Sequence, residues 1–112
     1  MSRAFITGSR KYGFPEVNSD IDLVVFIQSE DEYELLAKLS DASGGITFVE
    51  EYEGTVLPSL RFGNLNLICC ISEAEYNCWR DGTNEMAAMK PITRDMAIEH
   101  LAKLRIERGL RR

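Results

Sequence analysis

Two aspartates, Asp20 and Asp22, stand one residue apart at the start of the apolar stretch "DIDLVVFI". Side chains alternate along a β-strand, so this spacing places both carboxylates on the same side. Two like charges next to apolar residues repel each other, and the arrangement costs free energy unless something compensates it. A divalent cation removes that cost, because proteins hold Mg²⁺ through one or two carboxylates together with waters and substrate phosphates. The spacing therefore predicts a Mg²⁺ or Mn²⁺ site with Asp20 and Asp22 as ligands.

A glycine turn precedes the aspartates and supplies groups that bind phosphate. Gly8 and Ser9 follow a short apolar segment, with ten residues between Ser9 and Asp20, and Arg10 and Lys11 come next. Backbone N–H groups at a glycine turn can approach a phosphate closely, a serine hydroxyl adds a donor, and basic side chains add positive charge. Either pattern alone is common at strand starts and turns, but the combination predicts a nucleotide-binding site formed by Gly8, Ser9, Arg10 and Lys11.

The elements that must position these residues are predicted from alternation, turn residues and helix caps. Strands are expected at residues 4–7, 20–27, 46–52, 56–62 and 65–71, with a loop at 8–19. Helices are expected to begin after Ser29, Ser72 and Thr93, the first two having a glutamate three residues further on. The second of these helices is expected to falter at Gly82 and to end before Pro91. This order predicts an α+β fold, a small sheet with helices packed on one face.

Composition places this chain among globular proteins with one domain. It has 112 residues, of which 45% are apolar, and a net charge of −5. We expect a single domain over residues 1–112, with the sheet core at 4–72 and C-terminal helices at 73–109. No apolar run is long enough for a membrane span and no signal peptide is recognisable, which favours a cytoplasmic location. An odd number of cysteines (Cys69, Cys70 and Cys78) is no disulfide framework, and we expect inert core thiols.

Charge is distributed unevenly along the chain. The middle is strongly acidic, whereas both ends carry more basic than acidic residues. An acidic middle suits cation binding and basic ends suit phosphate, although a solvated surface with a basic tail explains the same pattern. The basic end "RIERGLRR" lacks interleaved aromatic residues, so specific nucleic-acid binding is not expected.

Taken together, the glycine-serine pair, the ten-residue gap and "DIDLVV" resemble the signature of the nucleotidyltransferase superfamily. That superfamily includes polymerase β, the kanamycin and lincosamide nucleotidyltransferases and the minimal nucleotidyltransferases, and "GSRKYG" followed by "SDIDLVV" is most similar to the minimal group. The stretch "LRFGNLNLICCISEAEY" is also similar to small nucleotidyltransferase-like proteins of bacteriophages. The resemblance implies a mixed sheet and transfer of NMP from an NTP to an acceptor hydroxyl. It further implies that Asp20 and Asp22 hold Mg²⁺ while Gly8 and Ser9 grip phosphate.

The third carboxylate that the resemblance implies is missing from its expected place. That place falls in "NLNLICC", where the candidate catalytic residue is Asn66. Asparagine can coordinate a metal through its carbonyl oxygen, but it carries no charge and cannot take a proton. Glu50 on the expected neighbouring strand would substitute if it faced the cleft. A nucleotide-binding protein with slow or absent transfer is therefore the alternative to an active enzyme.

The remaining polar and aromatic candidates have plainer interpretations. Arg61 is expected on the strand surface rather than in the cleft, Tyr76 and Trp79 in the core, and His100 on a solvated helix face. Three hypotheses follow: an active nucleotidyltransferase, a weakened relative that binds a nucleotide or a partner as an antitoxin-like or phage accessory protein, and an unrelated α+β domain. The acceptor is open, and a homodimer or a helical partner protein would supply surface that one small domain lacks.

Overall fold

A computed structural model describes residues 3–15, 20–42 and 59–110 of this protein. Within these residues four strands form one mixed sheet in the order β1-β2-β4-β3. The strands are β1 (Arg3–Thr7), β2 (Ile21–Phe26), β3 (Leu60–Phe62) and β4 (Leu65–Cys70). Strand β2 runs antiparallel to β1 and parallel to β4, while β3 and β4 are antiparallel. The predicted α+β class with a mixed sheet is therefore confirmed.

One row of residues crosses all four strands at the end of the sheet where β1 ends and β2 begins. Thr7 is in register with Asp22, Asp22 with Asn66, and Asn66 with Arg61. Residues in register on neighbouring strands lie side by side on the same face, so their side chains can interact. The sheet thus brings together four polar residues from segments that are far apart along the chain.

Four helices accompany the sheet in the described part of the chain. They are α1 (Ser9–Tyr12), α2 (Glu30–Ala42), α3 (Glu73–Met89) and α4 (Arg94–Glu107). The Ser72 side chain accepts from the Glu75 N–H and the Thr93 side chain from the Met96 N–H, as N-cap residues do. The Glu32 N–H likewise donates to the Ser29 hydroxyl at 3.2 Å. The predicted cap positions are confirmed.

Helices cover both faces of the sheet, which corrects the prediction that they pack on one face. On one face, Val24 and Ile68 pack with Tyr76, Trp79 and other residues that include members of α1, α3 and α4. On the opposite face, Val25 packs in a second core with residues of α2, among them Tyr33, Leu36 and Ala37. The physical reason is that β2 and β4 carry apolar residues at consecutive positions, so both of their sides must be shielded from water.

Several local predictions also need correction. The predicted loop at 8–19 contains the one-turn helix α1, and α3 continues through Gly82 without interruption. Gly82 lies where α3 and α4 approach closely, because a Cβ there would come within 2.6 Å of the Leu101 side chain. The strand predicted at 46–52 lies outside the described residues, as does the first part of the one predicted at 56–62.

The helix pair α3 and α4 is joined by a buried ion pair. Both oxygens of the Glu75 carboxylate accept from the Arg105 guanidinium, one of them at 2.9 Å. The two side chains are 8% and 6% exposed. Such a pair holds two helices in one relative position, because breaking it would leave a buried charge without compensation.

Candidate functional site

A cavity of about 350 Å³ lies at the edge of the sheet where β1 ends and β2 begins. Gly8, Ser9, Asp20 and Asp22 line one part of it. Tyr12 and Gly13 of the α1 region contribute as well, and residues from the start of α4 complete the wall, namely Ile92, Arg94 and Ala97. The cavity therefore brings the predicted phosphate turn and both predicted metal ligands into one space.

Gly8 approaches Asp22 more closely than any other residue type would allow. A Cβ at position 8 would lie 2.1 Å from Asp22 Oδ2, and Gly8 has a φ of +77°. Both properties exclude a side chain, since positive φ is costly for L-residues and the contact is far below van der Waals distance. The glycine turn is therefore in direct contact with the Asp22 carboxylate.

Asn66 lies next to Asp22 at the position where a third carboxylate is expected. Its Nδ2 donates to Asp22 Oδ1 at 3.3 Å, and the side chain is 7% exposed. Within the described residues Asn66 Oδ1 has no hydrogen-bond partner. The amide orients Asp22 but adds no negative charge and cannot accept a proton from a substrate. Glu50, the predicted substitute, lies outside the described residues.

Arg61 reaches this site through Asp20, a partner that sequence analysis did not identify. Its Nη1 and Nη2 donate to Asp20 Oδ1 at 3.1 Å and to Asp20 Oδ2 at 2.8 Å. This hydrogen bonding lowers the pKa of Asp20 below its usual value and outweighs the effect of partial burial. The guanidinium therefore offsets part of the repulsion between Asp20 and Asp22 that the sequence alone attributes to a missing cation.

Tyr12 and Thr7 hold the glycine turn in place, and sequence analysis did not identify either residue. Burial raises the pKa of Tyr12, while a hydrogen bond with Thr7 acts in the opposite direction. The Thr7 hydroxyl also bonds to the Thr83 hydroxyl at 2.8 Å, and the Ile92 N–H donates to the Tyr12 carbonyl at 2.9 Å. In the sequence, the signal that could have identified Tyr12 is an aromatic residue within an otherwise polar segment. These contacts tie the turn to α3 and to the start of α4.

Arg10 and Lys11 line a neighbouring basic groove instead of the cavity itself. This groove measures about 340 Å³ and also contains Lys90. Ser9 and Gly13 belong to both the cavity and the groove, so the two spaces are adjacent. The predicted nucleotide-binding residues thus divide into Gly8 and Ser9 beside the carboxylates, and Arg10 and Lys11 beyond the turn.

The donors at the cavity fit one hard divalent cation. Among residues 3–15, 20–42 and 59–110, no three acidic, histidine or cysteine side chains form a metal-binding group. The two carboxylates that line the cavity match the usual protein contribution to a Mg²⁺ site, in which waters and substrate phosphates provide the other ligands. Asp20 and Asp22 would hold such an ion.

The other candidate residues lie apart from the cavity. All three cysteines are buried and free, as expected of core thiols, and Tyr76 and Trp79 are buried in the core as predicted. His100 Nε2 lies 2.7 Å from Glu85 Oε1 at the surface. No helix in the described part of the chain has the length and apolarity that a membrane crossing requires.

Comparison with known proteins leaves the site to be judged from its own geometry. The chain matches no protein-family model, no curated protein and no solved structure.

Proposed function

We propose that this protein is a Mg²⁺-dependent enzyme of the nucleotidyltransferase-fold type, which transfers NMP from an NTP to an acceptor hydroxyl. The observation that carries the proposal is the close contact of the Gly8 turn with Asp22, with Ser9 and Asp20 lining the same cavity. A phosphate group in the cavity beside this contact would be held by backbone and hydroxyl donors of the turn on one side. On the other side it would face a cation bound by Asp20 and Asp22.

Each residue group has a defined task in this reaction. Gly8 and Ser9 bind the phosphate to be transferred, and Arg10 and Lys11 in the adjoining groove neutralise the rest of the triphosphate. When bound, Mg²⁺ supplies charge neutralisation at the reacting phosphate. The acceptor oxygen forms a bond to the α-phosphorus, the bond to the β-phosphate oxygen breaks, pyrophosphate leaves, and the acceptor proton passes to water.

A second function is favoured by Asn66, namely nucleotide binding with weak or no transfer. In the described row across the sheet, the position beside Asp22 holds an amide that cannot take the acceptor proton. Loss of a proton acceptor that acts in the transition state typically lowers rates by about 10²–10⁴-fold. The binding half of the proposal does not depend on this group, so binding and transfer must be measured separately.

Binding is tested by melting temperature with MgCl₂ and ATP, separately and together. We expect stabilisation by the two together that is larger than the sum of either alone, and its loss in Asp22→Asn. The matched control is Asp41→Asn, since Asp41 is an exposed aspartate at the end of α2. Equal stabilisation of wild type and Asp22→Asn, or none in wild type, would reject the proposal.

Transfer is tested with α-³²P-labelled NTPs and a panel of acceptors comprising small hydroxyl compounds, proteins and RNA. Label appearing on an acceptor, with release of pyrophosphate and dependence on Asp22, supports the enzyme. Binding without label transfer to any acceptor, together with label transfer after Asn66→Asp, supports the weakened protein.

A further inference from the structure

Arg61 binds Asp20 with the geometry of a strong ion pair. Two parallel N–H···O bonds, at 3.1 and 2.8 Å, join the guanidinium to both carboxylate oxygens. Nη1 also donates to the Gly63 carbonyl at 3.2 Å. Such a fork holds a carboxylate in one orientation, and arginine remains charged at all relevant pH values.

The position of Arg61 in the sheet is set by its neighbour Asn66. The two residues are in register on β3 and β4, and Asn66 is in turn in register with Asp22. Strand pairing therefore delivers a fixed positive charge to the same row in which a third carboxylate is absent. The added positive charge of Arg61 and the missing third carboxylate both make the site less negative.

The charges of the described side chains limit how many metal ions this row can hold. Asp20 and Asp22 carry two negative charges, Arg61 carries one positive charge, and Asn66 carries none. One divalent cation would leave a single positive charge facing the nucleotide phosphates. A second would have to share the same two carboxylates, one of which is already paired with Arg61, and would raise the charge of these protein groups and metals to three positive charges.

Pairing with Arg61 does not prevent Asp20 from binding a metal. An ionised carboxylate has about four lone-pair positions, and a guanidinium fork occupies two of them. Asp20 is also 43% exposed, so the cavity side of the carboxylate remains accessible. A cation can therefore join Asp20 and Asp22 while the ion pair stays intact.

From these observations we propose that the site takes a single divalent cation and that Arg61 is a positioning residue that stands in place of a second. This inference rests on the proposed function, because it concerns the metal content of the same site. Arg61 orients Asp20 for the one ion and supplies, as a permanent part of the protein, positive charge that would otherwise come from another metal.

The test counts bound Mn²⁺ by electron paramagnetic resonance in the presence of a non-hydrolysable ATP analogue. We expect one Mn²⁺ per chain in wild type and in Arg61→Lys, which keeps the charge. We expect two in the double variant Arg61→Met with Asn66→Asp. The matched control is Arg108→Met, because Arg108 forms a comparable surface pair with Asp81 at 2.7 Å, outside the cavity, and this variant should hold one ion.

The outcomes separate this inference from the proposed function. Two Mn²⁺ ions per wild-type chain would overturn the inference and leave the proposed function standing, whereas no Mn²⁺ or nucleotide bound would overturn both. If the double variant does not fold, Arg61→Met alone decides. Removal of a nearby positive charge should raise its Mn²⁺ affinity roughly 3- to 10-fold relative to Arg108→Met, and an unchanged affinity would overturn the inference.

Discussion

At the scale of single residues, the site depends on a backbone position that tolerates no side chain. Gly8 combines a φ of +77° with an approach to Asp22 that leaves no room for a Cβ atom. Gly63, in the turn between β3 and β4, has a similar φ of +62° but open space around it. Both glycines thus have positive φ, but only at Gly8 would a side chain also collide with a neighbouring residue.

We predict that Gly8→Ala is clearly more destabilising than Gly63→Ala. Both variants bear the strain of alanine at positive φ; at Gly8, where ψ is −165°, the backbone lies in a region essentially restricted to glycine, and this strain costs about 1–3 kcal/mol. Gly8→Ala must also move Asp22, and overpacking of this kind adds about 1–3 kcal/mol. The measurement is urea unfolding of both variants and wild type, and equal losses would contradict the close contact. Gly8→Ala should also lose the stabilisation by Mg²⁺ and ATP, whereas Gly63→Ala should keep it.

A second residue-scale prediction concerns acid. Hydrogen bonding with Arg61 lowers the pKa of Asp20 in the folded protein, so its unfolded-state pKa, about 3.9, is the higher of the two. The pair thus stabilises the fold at pH values above about 4, and this contribution disappears as the pH falls through the lowered pKa. Because both side chains are partly exposed, we expect at most about 1 kcal/mol. The free-energy difference between wild type and Asp20→Asn, measured by urea unfolding from pH 7 to pH 2, should shrink in this range; a difference that grows on acidification would contradict it.

At the scale of elements, the start of α4 forms one wall of the cavity, and a buried ion pair joins α4 to α3. Arg105 and Glu75 are both nearly inaccessible to water, whereas Arg108 and Asp81 join the same two helices at the surface. The residues that close the cavity at the start of α4 keep their place only while α4 stays docked on α3. Stability of this pair is thus a condition for the geometry of the site.

We predict that Arg105→Ala destabilises the protein by about 3–5 kcal/mol, because it leaves the Glu75 carboxylate buried without its partner. Arg108→Ala, the exposed counterpart, should be far less destabilising, because solvent screens the surface pair. Combining Arg105→Met with Glu75→Leu should recover most of the loss, since an apolar pair of similar size carries no buried charge. Chemical unfolding of these variants provides the measurement. A double variant no more stable than Arg105→Ala would show that the ion pair is not the source of the effect.

At the scale of the whole molecule, the sheet lies between two apolar cores formed by the described residues. Strand β4 contributes to both, because Cys69 packs on the face covered by α2 and Cys70 on the face covered by the other helices. Burial raises the pKa of both thiols to about 12. The reactivity of these two neighbouring thiols therefore reports on the packing of opposite faces of the same sheet.

We predict that Cys69 and Cys70 resist iodoacetamide in the native protein at pH 8 and become reactive together as urea is added. A protonated, buried thiol is unreactive, and a single domain of this size usually unfolds as one cooperative unit. Mass spectrometry of peptides from Cys70→Ser and Cys69→Ser variants assigns the label to each position. Different urea midpoints, each corrected for the stability of its variant, would mean that the two cores unfold independently.

The sequence by itself determined which residues share a face and where several helices start. Alternation along "DIDLVV" places Asp22 and Val24 on one side of β2, and the caps at Ser72 and Thr93 lie where the pattern indicates. These features depend on the geometry of a few successive residues, which the chain carries locally. The glycine turn next to a carboxylate belongs to the same group, because strand β1 and strand β2 are close in sequence.

Only the tertiary structure decided which distant residues meet at the site. Arg61 pairs with Asp20 across 41 positions and Asn66 with Asp22 across 44, and α2 covers the face that sequence reasoning left bare. Strand order and register result from packing over the entire sheet, and a slip of one residue would turn Arg61 to the other face. For this reason the aspartates could be recognised from the chain, whereas the arginine that offsets part of their negative charge could not.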